Sequence, residues 1–156
     1  KEAIKLLSED KFEEAYKVFP AYPDAYVHHC LSSASMKDIN KQIEILEKGM
    51  GVCKDNIRIK DQFAKCLFQW DENTQTTYPY YGNNIKRSEK MFLEMAESKP
   101  GGEAAFYYLG LINAKYKQDY AQAVKYLKKV VEVNPTKWGE MWNFICQFIR
   151  EYDDKN

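Results

Sequence analysis

The sequence predicts an all-α protein built as an α-α superhelix, a solenoid of three to four helical hairpins closed by a C-terminal capping helix. Three observations carry that expectation. Residues 103–135 spell two amphipathic helices joined by a short polar turn and stopped by Asn134-Pro135. The same helix-turn-helix pattern recurs upstream, with large and small residues in the same order. A hairpin that repeats cannot bury its apolar face alone and has to stack on its neighbours. The expected organisation is one domain over 1–156, with hairpins at about 1–19, 24–50, 57–98 and 103–134 and a cap at 138–152.

At the N-terminus, Phe12, Ala15 and Phe19 share one helical face, so a helix is expected over 12–19, with 1–8 as the tail of its partner. Pro20 and Pro23 end it early. Pro23-Asp24 then opens a helix over 24–35, with Tyr26, His29-Cys30 and Ser33 on its packing side. Ile39, Gln42, Leu46 and Gly49 form the stripe of the helix that returns against it. The next hairpin pairs a helix over 57–70, carrying Phe63-Ala64 and Leu67, with one carrying Ile85, Ser88, Phe92 and Met95 before Pro100. An insertion at 71–83 separates the two. Pro100-Gly101-Gly102 breaks the chain again. A helix over 103–117 follows, with Phe106, Leu109, Gly110, Asn113-Ala114 and Tyr116 near helical spacing. Asp119 is a suitable N-cap for the helix over 120–133. Its stripe is Tyr120, Ala123, Val124, Leu127, Val130 and Val131. In the last helix, Met141, Trp142, Ile145, Phe148, Ile149 and Tyr152 make the stripe and Phe144 lies off it. A solenoid end needs such a cover, or else this face is a seam for another chain or repeat.

Residues 103–135 resemble a tetratricopeptide repeat. The family's Leu-Gly pair matches Leu109-Gly110, its aromatic at the start of the second helix matches Tyr120, and its small residue one turn later matches Ala123. Its later apolar positions and closing proline match Leu127, Val130 and Pro135. Small residues at Gly110 and Ala123 allow paired helices to approach closely. Two departures stand out: one extra residue between Gly110 and Ala123, and Asn113 where the family prefers Tyr. The small-residue slot recurs at Ala15, Gln42, Ser88 and Ala123, at separations of 27, 46 and 35, against a family period of about 34. Insertions between the two helices also occur in the related Sel-like repeats, and that subtype stays open. The resemblance implies a protein-protein interaction scaffold.

Composition narrows the function. The 156 residues hold 23 basic and 23 acidic side chains, which argues against an electrostatic grip on nucleic acid or an anionic membrane surface. No apolar run approaches the roughly 20 residues of a transmembrane helix. With 12 Tyr, 8 Phe and 3 Trp, rings are expected to supply much of the core. Cys30, Cys53, Cys66 and Cys146 form no Cys-x-x-Cys pair and read as buried free thiols, which points to a reducing, cytoplasmic compartment. The chain begins at Lys1 rather than Met, which suggests an excised domain or a processed product.

No catalytic motif is present: neither a Gly-rich phosphate loop nor a Gly-x-Ser-x-Gly elbow occurs. His28, His29 and Cys30 are consecutive and point to different faces of a helix, a poor arrangement for one metal ion. Acidic pairs such as Glu13-Glu14, Asp71-Glu72 and Asp153-Asp154 are likewise neighbours that do not face each other. The expectation is therefore no enzyme, no metal and no cofactor.

In stacked hairpins the first helices line the concave side. Projection places Asp24, Val27, Leu31 and Ser35 there from one helix, and Arg58, Asp61, Lys65, Phe68 and Gln69 from the next. The last contributes Tyr107, Leu111, Ala114 and Lys115. Cations, amides and aromatics in that mix suit a peptide or helix of a protein partner. The Lys/Asn/Arg clamp by which some family members hold a partner's C-terminal carboxylate is missing from the first of these helices, although Arg58, Lys65 and Lys115 can pair with an anionic group. Tyr78, Tyr80 and Tyr81 in the insertion either contact the partner or fold back over the helix ends. The alternative function is a structural or oligomerisation module whose groove is filled by a flanking segment and whose contacts surround Trp138 and Tyr80. Self-association stays open.

Overall fold

The computed structural model describes residues 1–32, 35–73, 82–98, 102–133 and 139–155. Among them are nine helices and no strand. They are α1 (Glu2–Ser8), α2 (Phe12–Val18), α3 (Pro23–Cys30), α4 (Ile39–Val52), α5 (Ile57–Asn73), α6 (Asn83–Ala96), α7 (Gly102–Ile112), α8 (Tyr120–Val133) and α9 (Gly139–Asp153). A π-helical turn, Asn113–Lys117, continues α7. The chain divides into two compact units, Lys1–Trp70 and Asp71–Asn156.

In the first unit, α1 packs on α2, α2 on α3 and α3 on α4, and α1 also reaches α3. Local chemistry sets the ends of these helices. Asp38 Oδ1 accepts from the backbone N–H groups of Asn40 (3.0 Å) and Lys41 (3.2 Å), capping α4. Asn56 Oδ1 does the same for Arg58 and Ile59 at the start of α5. The expected helix over 24–35 stops at Cys30, because Ser32 Oγ donates to the His29 carbonyl (2.8 Å) and the backbone turns through Ser35 and Met36. Ser33 lies outside the described residues. Phe19, expected on the packing face of α2, instead follows the helix and is 52 % exposed. The proline after it disfavours helical backbone there.

A ladder of rings fills the centre of this unit. Phe12 of α2 stacks on His29 of α3 (4.5 Å between centroids), and Tyr16 stacks on Tyr26 (4.4 Å). Tyr26 Oη donates to the Pro20 carbonyl at 2.8 Å, which holds the ring. Gly49 of α4 closes against that ring. A Cβ at Gly49 would lie 2.8 Å from Tyr26 Cγ. Gln42, in the slot that favours a small residue, is buried and donates Nε2–H to the Cys30 carbonyl at 3.0 Å.

In the second unit, α6 packs on α7, α7 on α8 and α8 on α9. Gly110 meets Leu127 side by side: a Cβ there would lie 2.7 Å from Leu127 Cδ2. Phe92 of α6 stacks on Tyr108 of α7 at 4.8 Å. Leu127, Val130 and Ile145 form a buried cluster with Phe106, Tyr107, Val131, Phe148 and Ile149 against it. Asp119 caps α8, accepting from Gln122 N–H at 3.0 Å. Tyr120, expected on the inward stripe of α8, is 47 % exposed, its ring tilted against that of Phe148 at 6.3 Å between centroids. Phe144 stands off the packing stripe of α9 and is exposed.

Between Gly110 and Ala123 the chain passes through the π-helical turn, where the Asp119 N–H reaches back to the Asn113 carbonyl (3.0 Å) and the Asn113 amide donates to the Leu109 carbonyl (2.8 Å). Gln118 ends the turn in left-handed backbone, φ 54°.

The two helical glycines of α4 provide a test. Gly49→Ala should destabilise the chain by about 1–3 kcal/mol through overpacking against Tyr26, even though alanine is the better helix former. Gly51, where an added Cβ meets nothing within 4 Å, should respond with the opposite sign, a gain of about 0.5–1 kcal/mol. Urea denaturation of both variants checks this, and equal responses would contradict the close approach.

Candidate functional site

α5 divides into two faces. Ile59, Phe63, Ala64, Cys66 and Leu67 are buried, whereas Arg58 and Gln69 are exposed and Asp61 and Lys65 half-buried. The polar residues follow the helical repeat of three to four positions, so they run as one strip along the helix. Ion pairs tie the strip together. Arg58 pairs with Asp24 of α3, and Lys65 Nζ lies 2.5 Å from Asp61 Oδ2 one turn away. Exposed pairs of this sort contribute about 0–1 kcal/mol each. Of the five residues expected on the inner wall from this helix, Phe68 is the one placed in the core, at 3 % exposure. Leu31, just past α3, is 46 % exposed, while Val27 and Ser35 are buried.

The remaining wall candidates belong to the second unit. Tyr107 and Leu111 of α7 are half-buried, Tyr107 meeting Tyr108 edge-on at 5.5 Å. Lys115 is exposed on the π-helical turn, its Nζ 6.0 Å from the Tyr116 ring. Lys117 pairs with Glu89 across α6 and the turn. Tyr78, Tyr80, Tyr81 and Trp138 lie outside the described residues. A separate open cleft of about 500 Å³ lies against α8 and α9, lined by Tyr120, Phe148, Glu151, Tyr152 and Lys155.

Among the described residues, no group of three or more His, Cys, Asp or Glu side chains is placed to hold a metal ion. Among the same residues, no helix is long and apolar enough to cross a membrane. Cys30, Cys53 and Cys66 are buried and Cys146 is half-buried, and all four are free.

Two groupings escaped the sequence. Tyr16 Oη and His29 Nδ1 lie 2.7 Å apart, under the Phe12 ring and beside Lys48, whose Nζ sits 4.6 Å over the Tyr16 ring. Burial pushes the Tyr16 hydroxyl well above the ordinary tyrosine value, with Glu13 adding to it. Burial lowers the His29 pKa, with Glu13 opposing and Lys41 and Lys48 reinforcing. The second grouping is Cys30 and Cys66, whose sulfurs meet from α3 and α5. Both depend on contacts between helices, and no local motif announces them. Compared with known proteins, no family model matches the chain and no curated protein matches it.

The His29 environment fixes the sign of a pH effect. A histidine whose folded pKa is lowered is held neutral, so the unfolded chain binds more protons as pH falls through the unfolded value near 6.5. Stability should therefore be full above that value and decline below it. Melting curves between about pH 7.5 and about pH 5 read the decline. A His29 titration midpoint by NMR at or above about 6.5 would contradict it.

Proposed function

We propose that this chain is a tetratricopeptide-like solenoid that binds a peptide or helix of a protein partner along its first helices, without catalysis or cofactor. The polar strip of α5 supports this reading most. One face of the helix is committed to the core, and the other carries Arg58, Asp61, Lys65 and Gln69 in helical register. Its ion pairs are exposed or half-exposed, so a partner's carboxylates and amides can replace them at small cost. The repeated architecture has its own support: the four small-residue slots, Ala15, Gln42, Ser88 and Ala123, are all buried. Hairpins also close at glycine in both units, Gly49 on Tyr26 and Gly110 on Leu127. In this reading Arg58 and Lys65 of the first unit orient the partner and Leu31 supplies apolar contact, while Tyr107, Leu111 and Lys115 are a separate candidate surface on the second unit.

Selection from a displayed peptide library, followed by calorimetry on enriched peptides, tests the groove. Arg58→Glu and Lys65→Glu should each weaken capture about tenfold, or about 1.4 kcal/mol, with helical content unchanged by circular dichroism. No enrichment, or affinity unmoved by both reversals, would remove α5 from the binding surface.

A second reading is favoured by the cleft at Tyr120, Phe148 and Tyr152 beside the exposed ring of Phe144. Those residues suit self-association through the C-terminal helix, which would make the chain an oligomerisation module. Light scattering after size exclusion separates the two. A dimer that Phe144→Asp converts to monomer supports the second, and a monomer at all concentrations removes it.

A further inference from the structure

Cys30 and Cys66 stand 36 positions apart in the chain, yet their sulfurs lie 4.0 Å from one another. Cys30 is the last residue of α3, and Cys66 sits in the middle of α5. Both are buried, at 0 % and 2 % exposure. Gln62, one turn before Cys66, donates Nε2–H to Cys66 Sγ at 3.8 Å. Gln62 thus sets one donor on the Cys66 sulfur, and the Cys30–Cys66 contact, in which either thiol can be the donor, offers a second. Hydrogen-bond donors favour the thiolate over the thiol, and the thiolate is the reactive form. Packing alone does not require this arrangement, since two small apolar side chains would fill the same space.

We propose that Cys30 and Cys66 are a redox-active pair that a hydroperoxide converts to a reversible intramolecular disulfide, with Cys66 as the attacking sulfur and Cys30 as the resolving one. The chemistry balances with hydrogen peroxide as oxidant. The Cys66 thiolate attacks one peroxide oxygen, the O–O bond breaks, and the leaving oxygen takes up a proton and departs as water. Cys66 is then a sulfenic acid. The Cys30 sulfur attacks the Cys66 sulfur, gives up its proton, and the sulfenic hydroxyl leaves as water. Two thiols lose two electrons in total, and one peroxide becomes two waters. The sulfurs have to close from 4.0 Å to about 2.05 Å. Closing that gap requires rotation of the two side chains and a small shift of the end of α3. Both thiols are buried while Leu31, the residue after Cys30, is 46 % exposed, so peroxide entry requires the end of α3 to move.

The electrostatics agree with the division of roles. The hydrogen bond from Cys30 holds the Cys66 thiol below the ordinary cysteine range against the opposing effect of burial, with Gln62 and Lys65 assisting. The same hydrogen bond and burial push Cys30 upward. Cys53, also buried, is pushed upward by burial, so it serves as an internal control.

The test is peptide mapping of the whole chain by mass spectrometry after hydrogen peroxide and thiol blocking. The expected product is a Cys30–Cys66 cross-linked peptide, lighter by two hydrogen atoms and restored to two free thiols by dithiothreitol. Cys53 should stay blocked as a free thiol. Cys30→Ser should leave Cys66 trapped as a sulfenic acid that a cyclic 1,3-dione captures, and Cys66→Ser should abolish the oxidation of Cys30. A cross-link to Cys53, over-oxidation of Cys66 without a cross-link in the unmutated chain, or intact Cys30 and Cys66 thiols while Cys146 is consumed would each overturn the proposal. The mapping of the unmutated chain decides the matter even where a serine variant fails to fold.

Discussion

Two helices can lie side by side at close range only where one of them gives up a side chain. In this protein Gly49 does so for the Tyr26 ring and Gly110 for Leu127. The contact is short enough that a methyl group would meet carbon at under 3 Å in either place, and the packing of each unit follows from it. Once α4 lies on Tyr26, the ring has to stay where its hydroxyl meets the Pro20 carbonyl and its face meets Tyr16. Once α8 lies on Gly110, Leu127 and Val130 are aimed at Ile145 of α9. Fully buried side chains of this size contribute about 1.5–3 kcal/mol each, so the glycines act by letting larger neighbours reach the core.

The first unit keeps polar atoms inside that tight frame. Gln42 replaces the small side chain expected in its slot and occupies the space with an amide bonded to the Cys30 carbonyl. That carbonyl ends α3, so the side chain of one helix completes the unfinished hydrogen bonding of another. Tyr16 and His29 satisfy each other beneath Phe12. Groups of this kind cost free energy when left alone and little when paired. They therefore specify how α2, α3 and α4 meet more than they add to stability.

Most helices were legible because their cause is local. The 3.6-residue stripe and the Asp119 cap placed α8 at its observed bounds, and Pro23 opened α3 as expected. What escaped was set by competition or by distance. The Ser32 hydroxyl ended α3 early, a choice that the apolar stripe does not record. The π-helical turn before Ala123, where the Asn113 amide bonds back to the Leu109 carbonyl, is marked by no stripe or cap signal. On α5, helical projection separated the polar strip from the core at Arg58, Asp61, Lys65 and Gln69 and misassigned only the depth of Phe68. The Asp24–Arg58 pair and the Cys30–Cys66 contact join residues far apart in the chain. No periodicity encodes such pairings before the helices are brought together.

If α5 binds a peptide as proposed, the partner's chemistry is constrained by how the strip is neutralised. Arg58 and Lys65 already have carboxylates beside them, from Asp24 and Asp61. A ligand that offers only another carboxylate exchanges one exposed ion pair for another and gains little. Affinity must then come from area removed from water, at roughly 25 cal/mol for each Å² of apolar surface. On α5 the aromatic ring expected on the binding face, Phe68, is buried in the core. In the first unit the apolar contribution falls to Leu31, exposed at the end of α3. A ligand made of charge alone would thus bind weakly. The proposed reading therefore calls for a ligand that sets an aliphatic or aromatic side chain against Leu31 and uses its acidic groups to choose register against Arg58 and Lys65.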